Sequence, residues 1–402
     1  MYLLSGKRVL LCVGGGIAAY KSAELVRRLV GAGAEVQVAM TAAAREFITP
    51  LTLQTLSRRP VATNLFDAGE EAAIGHIEVA DWADVVLVAP ATANLIARMA
   101  AGRADDIVTA ALLVTRAPVV VAPAMNSNML DHPATVRNLA ELKSFGYRIV
   151  DSDEGELACG YQGAGRLPDP DDLLFEIAAA LTPQDLANTH VAVSAGPTRE
   201  AIDPVRYLSN RSSGRMGYEV ARAAARRGAR VTLVAGPTAL ATPRGVLMVR
   251  VETAAQMKDA MSAASEDADT VVMVAAVADF RPRDSVDQKI KKTDQTPPSI
   301  ELEPTDDILA GLGERKGNRI LVGFAAETQD LERYAREKLA RKGLDLIVAN
   351  DVSASDAGFE VSTNRAVLYS ASGDHEDTGL LGKDELADRI LDRVAALHAT
   401  LK

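Results

Sequence analysis

The chain nearly repeats its own opening. Residues 7–41 read KRVLLCVGGGIAAYKSAELVRRLVGAGAEVQVAMT; from Thr189 the pattern returns as THVAVSAGPT, then SSGRMGYEVARAAARRGARVTLVAGPT over 212–238. Each pass is an apolar strand, a glycine-rich turn, an amphipathic helix and a Gly-Ala step into a second strand. That unit is half of a doubly wound sheet. A second start near residue 190 calls for a second sheet, and 402 residues exceed what one core usually supports. Further apolar runs continue each half: ADVVLVAPAT and APVVVAPAMN in the first, DTVVMVAAVADF, RILVGFAAE and LDLIVANDV in the second. Unbroken runs of this kind suit parallel strands covered on both faces. The expected fold is α/β, two doubly wound Rossmann-like domains. The helix-plus-connection DPDDLLFEIAAALTPQDLAN puts the boundary near residue 187, giving 1–187 and 188–402. Most strands exit through small residues into Thr, Asn, Asp or Glu. Ligands of open α/β sheets sit beyond those carboxyl ends, so these exits are the candidate sites.

Composition removes several function classes. A net charge of −10 disfavours general nucleic-acid affinity, which needs a basic surface. Two cysteines, Cys12 and Cys159, supply neither a disulfide framework nor zinc spacing. A reducing, cytoplasmic setting is the expectation. The opening MYLLSGKRVLLCVGGG lacks the parts of a signal peptide, and no apolar run is long enough to span a bilayer.

The turn VGGGIAAYKS after the first strand presents backbone N–H groups and a helix N-terminus to a phosphate. It is not G-x-G-x-x-G, and the second strand ends in Met40-Thr41 with no acid to grip a nicotinamide ribose. A mononucleotide is favoured over a dinucleotide; a plain tight turn would account for the glycines almost as well. The second half replaces this turn by a much longer segment, SAGPTREAIDPVRYLSNRSSGRMG. Its Arg206, Arg211 and Arg215 suit phosphates or carboxylates, and a solvated arm or dimer contact is the bland alternative. His76 in GHIEVADWAD, Asn126 in APAMNSNML and Cys159 in LACGYQGAGR are each ordinary alone: a surface or core histidine, a helix cap, an incidental thiol. A cysteine among Gly155, Gly160, Gly163 and Gly165 is nevertheless an odd place for a small hydrophobe.

Together with PATANLIARMAAGRADD, these residues closely resemble the bifunctional phosphopantothenoylcysteine decarboxylase/phosphopantothenate–cysteine ligase family of coenzyme A synthesis, over nearly the whole chain and in the same domain order. The resemblance implies a flavodoxin-like, FMN-dependent decarboxylase domain first and a ligase domain second. Its His, P-x-M-N-x-x-M motif and flap Cys fall on His76, Pro123–Met129 and Cys159; Leu130 stands where relatives often carry an aromatic. Removing CO₂ from a cysteine carboxylate would leave an unstabilised carbanion. Oxidation of the thiol end to a thioaldehyde by FMN gives those electrons a destination, and the hydride must return afterwards. By resemblance His76 is the base or orienting group, Asn126 binds the carboxylate, and Cys159 donates the late proton from a flap that closes over substrate. Gly15, Thr41, Thr92 and Asn94 are the implied FMN contacts, with Gly14 and Gly16 beside them.

In the second half, SAGPTRE, DPVRYLSNRSSGRMG, AAVADFRP, KIKK, GFAAET and LIVAND match the family's ligase motifs. Amide formation in water needs an activated acyl group, which a nucleoside triphosphate supplies. By resemblance the nucleotide is CTP with Mg²⁺, and Asn210 steadies an acyl-cytidylate. Lys289 meets the phosphates. Asp279, Thr305, Asp306, Asp307, Ile308, Phe324, Lys338 and Lys342 contact CTP. The stretch TDDI at 305–308 departs from the NPDI of relatives. Without the resemblance, KIKK is a solvated loop and the two helical lysines, four apart, are surface charges sharing a face. The resemblance further implies a homo-oligomer, decarboxylase trimers and ligase dimers combined in a dodecamer. Competing readings are a chain with one live activity, a flavin-binding regulatory scaffold, and a nicotinamide-dependent reductase.

Overall fold

A computed structural model describes residues 2–65, 75–157, 160, 162–291, 299–327, 330–351 and 361–401. The chain divides into two compact units, Met1–Pro183 and Gln184–Lys402.

The first unit is built on six parallel strands: β1 (Arg8–Val13), β2 (Glu35–Met40), β3 (Val61–Ala62), β4 (Val85–Ala91), β5 (Val119–Pro123) and β6 (Arg148–Ile149). Their order is β3-β2-β1-β4-β5-β6. This is the doubly wound class, in the Rossmann order rather than the 2-1-3-4-5 order of flavodoxin. The order reverses between β1 and β4, which places a topological switch point there. A short antiparallel ribbon, β7 (Asp153–Glu156) with β8 (Gln162–Arg166), follows. The helices are α1 (Ser22–Gly31), α2 (Pro50–Ser57), α3 (His76–Trp82), α4 (Ala93–Ala100), α5 (Ile107–Val114), α6 (Ser127–Leu130), α7 (Pro133–Ser144) and α8 (Pro170–Leu181). Side chains along β1 alternate between two cores. Val9, Leu11 and Val13 join the cluster under α1, α2 and α8; Leu10 and Cys12 join the one under α3, α4 and α5. All five are fully buried, which explains the unbroken apolar run, and each contributes about 1.5–3 kcal/mol as a buried aliphatic or similar group. Cys12 is a core residue whose thiol pKa burial pushes far up, so it is chemically silent.

The second unit carries an eight-stranded sheet and two ribbons. Its strands are β9 (His190–Ala195), β10 (Arg199–Ala201), β11 (Tyr207–Ser209), β12 (Arg230–Ala235), β13 (Val246–Arg250), β14 (Thr270–Met273), β15 (Phe280–Pro282), β16 (Leu302–Pro304), β17 (Ile320–Glu327), β18 (Leu346–Asp351), β19 (Thr363–Ser370) and β20 (His375–Gly382). The sheet order is β13-β12-β9-β14-β17-β18-β19-β20. The first six are parallel and the last two antiparallel, a common way to finish one edge of a doubly wound sheet. α9 (Arg215–Arg226) packs on one face. α10 (Ala254–Ser265), α11 (Ile308–Glu314) and α12 (Leu331–Arg341) pack on the other. α13 (Lys383–Leu401) returns to the face of α9. Arg226 of α9, 2% exposed, binds both carboxylate oxygens of Asp388 on α13 at 2.7 and 2.6 Å. The segment read from sequence as one long loop after β9 is folded back on itself: β10 and β11 pair as a ribbon, closed by a turn at Asp203–Arg206.

Candidate functional sites

In the first unit the candidates share one edge because they begin the elements that follow the parallel strands. Thr41, at the exit of β2, caps a short 3-10 turn: its hydroxyl accepts from Ala44 N at 3.2 Å and donates to Val13 O at 3.4 Å. Thr92, after β4, caps α4 by accepting from Leu95 N at 3.3 Å, and Asn94 stands exposed in the next turn. Asn126, after β5, caps α6, its Oδ1 accepting from Asn128 N at 2.9 Å. His76 is the half-buried first residue of α3. The capping suspected for Asn126 is therefore present, and it commits the amide oxygen; Nδ2, a donor, is the group that suits a carboxylate.

The glycine turn lies at the switch point. Gly14 N donates to Pro90 O at 3.0 Å, so the exits of β1 and β4 meet there. A Cβ on Gly15 would stand 2.3 Å from the Ala43 side chain, and only glycine allows this approach. The Gly14–Gly16 turn, close against Thr92, thus lies at the switch point where ligands of open α/β sheets bind. Cys159 lies outside the described residues. The ribbon that brackets it does not: β8 crosses the Asn126 segment, Met125 N donating to Gly165 O at 3.0 Å. Ser127 Oγ, beneath Gly163, is buried without a hydrogen-bond partner among the described residues.

In the second unit the strand exits open into one cavity of about 550 Å³. Asn210, Asp279, Thr305, Asp306, Asp307, Ile308, Phe324, Lys338 and Lys342 all border it; Lys289 does not. The wall beyond β14 is held by side chains from three directions. Ser194 Oγ accepts from Val274 and Ala275 N, each at 3.0 Å, and Thr198 Oγ1 accepts from Ala278 N at 3.0 Å. Asn210 Nδ2 donates to Ala276 O at 3.2 Å and Val277 O at 3.0 Å. As placed, Asn210 spends its amide hydrogens on this wall and offers an acceptor; donating to an acyl carbonyl requires it to turn.

Across the cavity, Lys342 Nζ binds the carboxylate of Asp307 at 2.8 and 2.7 Å, and Lys338 Nζ donates to Phe324 O at 2.8 Å. Asp307 also caps α11. Burial pushes its pKa up, but the bonds from Lys342 and Ala310 N outweigh that and hold the carboxyl below its ordinary value. Asp306 is held low by Lys258 Nζ at 2.8 Å. Thr305 ties this segment to the β14 exit, its hydroxyl donating to Ala278 O at 2.5 Å. Arg206, one of three arginines considered for anions, is committed elsewhere. It pairs with the buried Asp203, whose carboxyl it keeps below the usual range, and donates to Ile290 O at 2.9 Å. Asp203 Oδ2 also accepts from Ile290 N at 3.1 Å, so the residue after Lys289 is anchored although Lys289 itself is exposed. Asn350, in the strand exit LIVAND, also borders the cavity, as do two residues that sequence did not single out, Asn364 and Lys383. The last two lie on β19 and α13, beyond the runs that read as strands.

Among the described residues no group of three or more His, Cys, Asp and Glu side chains is arranged to hold a metal ion, and no helix is long and apolar enough to cross a membrane.

A flavoprotein family matches residues 2–182, and the DNA/pantothenate metabolism flavoprotein C-terminal domain matches residues 186–397, so the two sheets define a flavoprotein unit joined to a unit of that second type. The chain is 49% identical over 400 residues to the coenzyme A biosynthesis bifunctional protein CoaBC of Bacillus subtilis strain 168, covering 98% of each. It is 49% identical over 399 residues to the protein of the same name from Escherichia coli K12, again covering 98% of each. A crystal structure of the C-terminal domain of a CoaBC protein shares 40% identity and covers 54% of this chain and 99% of that one, with a TM-score of 0.47. The chain belongs to the CoaBC family of bifunctional enzymes of coenzyme A biosynthesis, with a flavoprotein decarboxylase domain followed by a ligase domain.

Proposed function

We propose that the second unit, residues 188–402 by the sequence boundary, joins 4′-phosphopantothenate to cysteine at the expense of CTP. The first, residues 1–187, decarboxylates the resulting phosphopantothenoylcysteine to 4′-phosphopantetheine. The observation that carries this is the single cavity bordered by Asn210, Asp279, Thr305–Ile308, Phe324, Lys338 and Lys342, residues drawn from separate motifs to one sheet edge. Lys338 and Lys342 sit where a nucleotide's negative or acceptor groups would replace Phe324 O and Asp307 as their partners. Asn210 orients the acyl end against the β14 wall. Lys289, carried beside the Ile290 anchor, adds positive charge over the phosphates. Mg²⁺ enters as a metal–nucleotide complex, its ligands phosphate oxygens and water rather than a protein cage.

In the first unit the Gly14–Gly16 turn and the Thr92–Asn94 segment would hold FMN, which would supply a two-electron sink that is emptied again within each cycle. Thr41 is buried with its hydroxyl committed to the fold, so it contributes by fixing the backbone around that turn. Asn126 Nδ2 holds the substrate carboxylate until CO₂ leaves, His76 orients or deprotonates the thiol end, and Cys159 delivers the final proton. Exposed Ile17, Tyr20, Phe47 and Leu51 lie on neighbouring segments of this unit and suit subunit contact. A homo-oligomer, a dodecamer by family resemblance, in the cytoplasm is the corresponding assembly.

The test supplies 4′-phosphopantothenate, cysteine and Mg²⁺ with CTP or ATP in parallel and follows pyrophosphate and CO₂ separately. Both products with CTP are expected. Neither product with either nucleotide defeats the proposal.

A further inference from the structure

The β7–β8 ribbon rests on the segment that carries Asn126, and the contact is bare backbone. Gly163 and Gly165, two apart on β8, turn toward that segment. A Cβ on Gly165 would stand 2.1 Å from Met125 O, and one on Gly163 would stand 2.8 Å from Ser127 Oγ. Ordinary contact begins at about 3.5 Å, so neither position accepts a side chain unless the strand moves. At these two positions glycine serves the close approach of two backbones. The seat is fastened on both sides. Met125 N donates to Gly165 O at 3.0 Å, and Ser152 Oγ, just before β7, donates to Pro123 O at 2.8 Å. Leu167, the residue after β8, is buried in the core under α1, α2 and α8. Asn126 is held from within its own turn as well, its carbonyl accepting from Met129 N and Leu130 N, each at 3.0 Å.

One contact of this seat is of a different kind. Ser127 Oγ is buried against Gly163 with no hydrogen-bond partner among the described residues. A buried hydroxyl without a partner lowers stability, so pairing does not explain its presence. What it supplies is thickness. Among the described residues, Ser127 Oγ and Cβ are what a side chain at Gly163 would meet, at 2.8 and 3.5 Å. We propose that Ser127 is a positioning residue for decarboxylation: its side chain sets the distance between β8 and the Asn126 segment, and through it the place of Asn126 against the substrate carboxylate. This rests on the decarboxylase reading above and on the role given there to Asn126.

A double-mutant cycle in the full chain tests it, with phosphopantothenoylcysteine supplied and CO₂ followed. Gly163→Ala should lower kcat roughly 10- to 100-fold, as a displacement of up to an ångström does, with flavin content and ligase turnover unchanged. Ser127→Ala alone should lower kcat about two- to fivefold, the low end of the coupling between residues in contact. Its melting temperature should be no lower than wild type, since the hydroxyl has no partner to lose. In the Gly163→Ala background the same substitution should raise kcat by roughly tenfold, because the space left by the hydroxyl takes the added methyl. The φ of +154° at residue 163 disfavours alanine equally in both backgrounds and drops out of the comparison. Hydrogen exchange at the Met125 amide reads the seat without turnover: protection should fall in Gly163→Ala and return in the double variant. Ser127→Cys thickens the same contact, should also lower kcat, and decides the matter if Gly163→Ala does not fold. The proposal is overturned if Ser127→Ala acts in the same direction in both backgrounds, or if folded Ser127→Cys keeps the wild-type kcat. Wild-type protein that releases no CO₂ from phosphopantothenoylcysteine defeats the decarboxylase reading itself, whatever the variants do.

Discussion

The two sheet edges use the same kinds of residue differently. At the edge of the second unit, candidate side chains line one cavity: Lys342 pairs with Asp307, while Thr305 and Asn210 bond to backbone carbonyls beyond β14. At the edge of the first unit they mostly face inward: Thr41, Thr92 and Asn126 each cap the helical turn that follows their strand. One edge is a set of side chains lining a cavity; the other is a backbone surface held in place by side chains. A flavin needs flat surface and N–H groups, which a backbone supplies, and a reacting nucleotide needs charge at fixed points, which it does not.

The largest effect should come from the proposed proton donor of the first unit. Cys159→Ser is expected to release CO₂ but to stall with an oxidised enethiol, lowering aminothiol formation by about 10²- to 10⁴-fold, as loss of a general acid does. Mass spectrometry of the product reads this directly, and normal aminothiol output would refute the donor role. Lys342→Ala should come next. It should cut ligase kcat/KM by roughly 10- to 100-fold and leave decarboxylation of supplied phosphopantothenoylcysteine untouched. Equal loss in both assays would mean that it acts through the fold. Asp203→Asn removes the acceptor charge that holds Arg206 and the Ile290 backbone. A drop of about tenfold in ligase kcat is expected, with KM for pantothenate species little changed, from a weakened anchor beside Lys289. Smallest of all, Thr41→Val should lower stability by about 1 kcal/mol, the worth of a cap, while flavin content and kcat of the folded protein stay near wild type. A colourless but fully folded Thr41→Val protein would show that its hydroxyl touches the flavin, and the contrast between the edges would weaken.

Much of this was legible in the sequence. The repeated strand–glycine–helix unit announced both sheets, because a strand buried on both faces has no polar alternation to disguise it; β1 splits its side chains between two cores. The strand exits LIVAND and AAVADF announced the second site by the same logic. β19, paired on both sides, carries a largely buried run AVLY that the sequence reading passed over, and β20 was missed because it forms the edge of the sheet. There HEDTGLLG is half-exposed and polar, carrying no apolar run. Lys383 was missed with them, since a lysine opening an amphipathic helix looks like a surface charge until two strands carry it to the cavity. Arg206 failed in the opposite sense: an arginine in a polar segment looked available, and a carboxylate three residues earlier had already taken it.

The anchor at Ile290 has a further consequence for rate. Arg283 N donates to Glu301 O at the end of the β15–β16 ribbon, and Lys289 lies six residues beyond Arg283. Bonds from Ile290 to Asp203 and Arg206, and from Val286 N to Ile202 O at 3.2 Å, shorten that lever to the reach of a single lysine side chain. On the role proposed for Lys289, the effective concentration of its ammonium near the nucleotide phosphates is then governed by side-chain length rather than loop length. Insertions or deletions on the far side of Ile290 should therefore be better tolerated by the ligase than a single-residue change between Asp287 and Ile290.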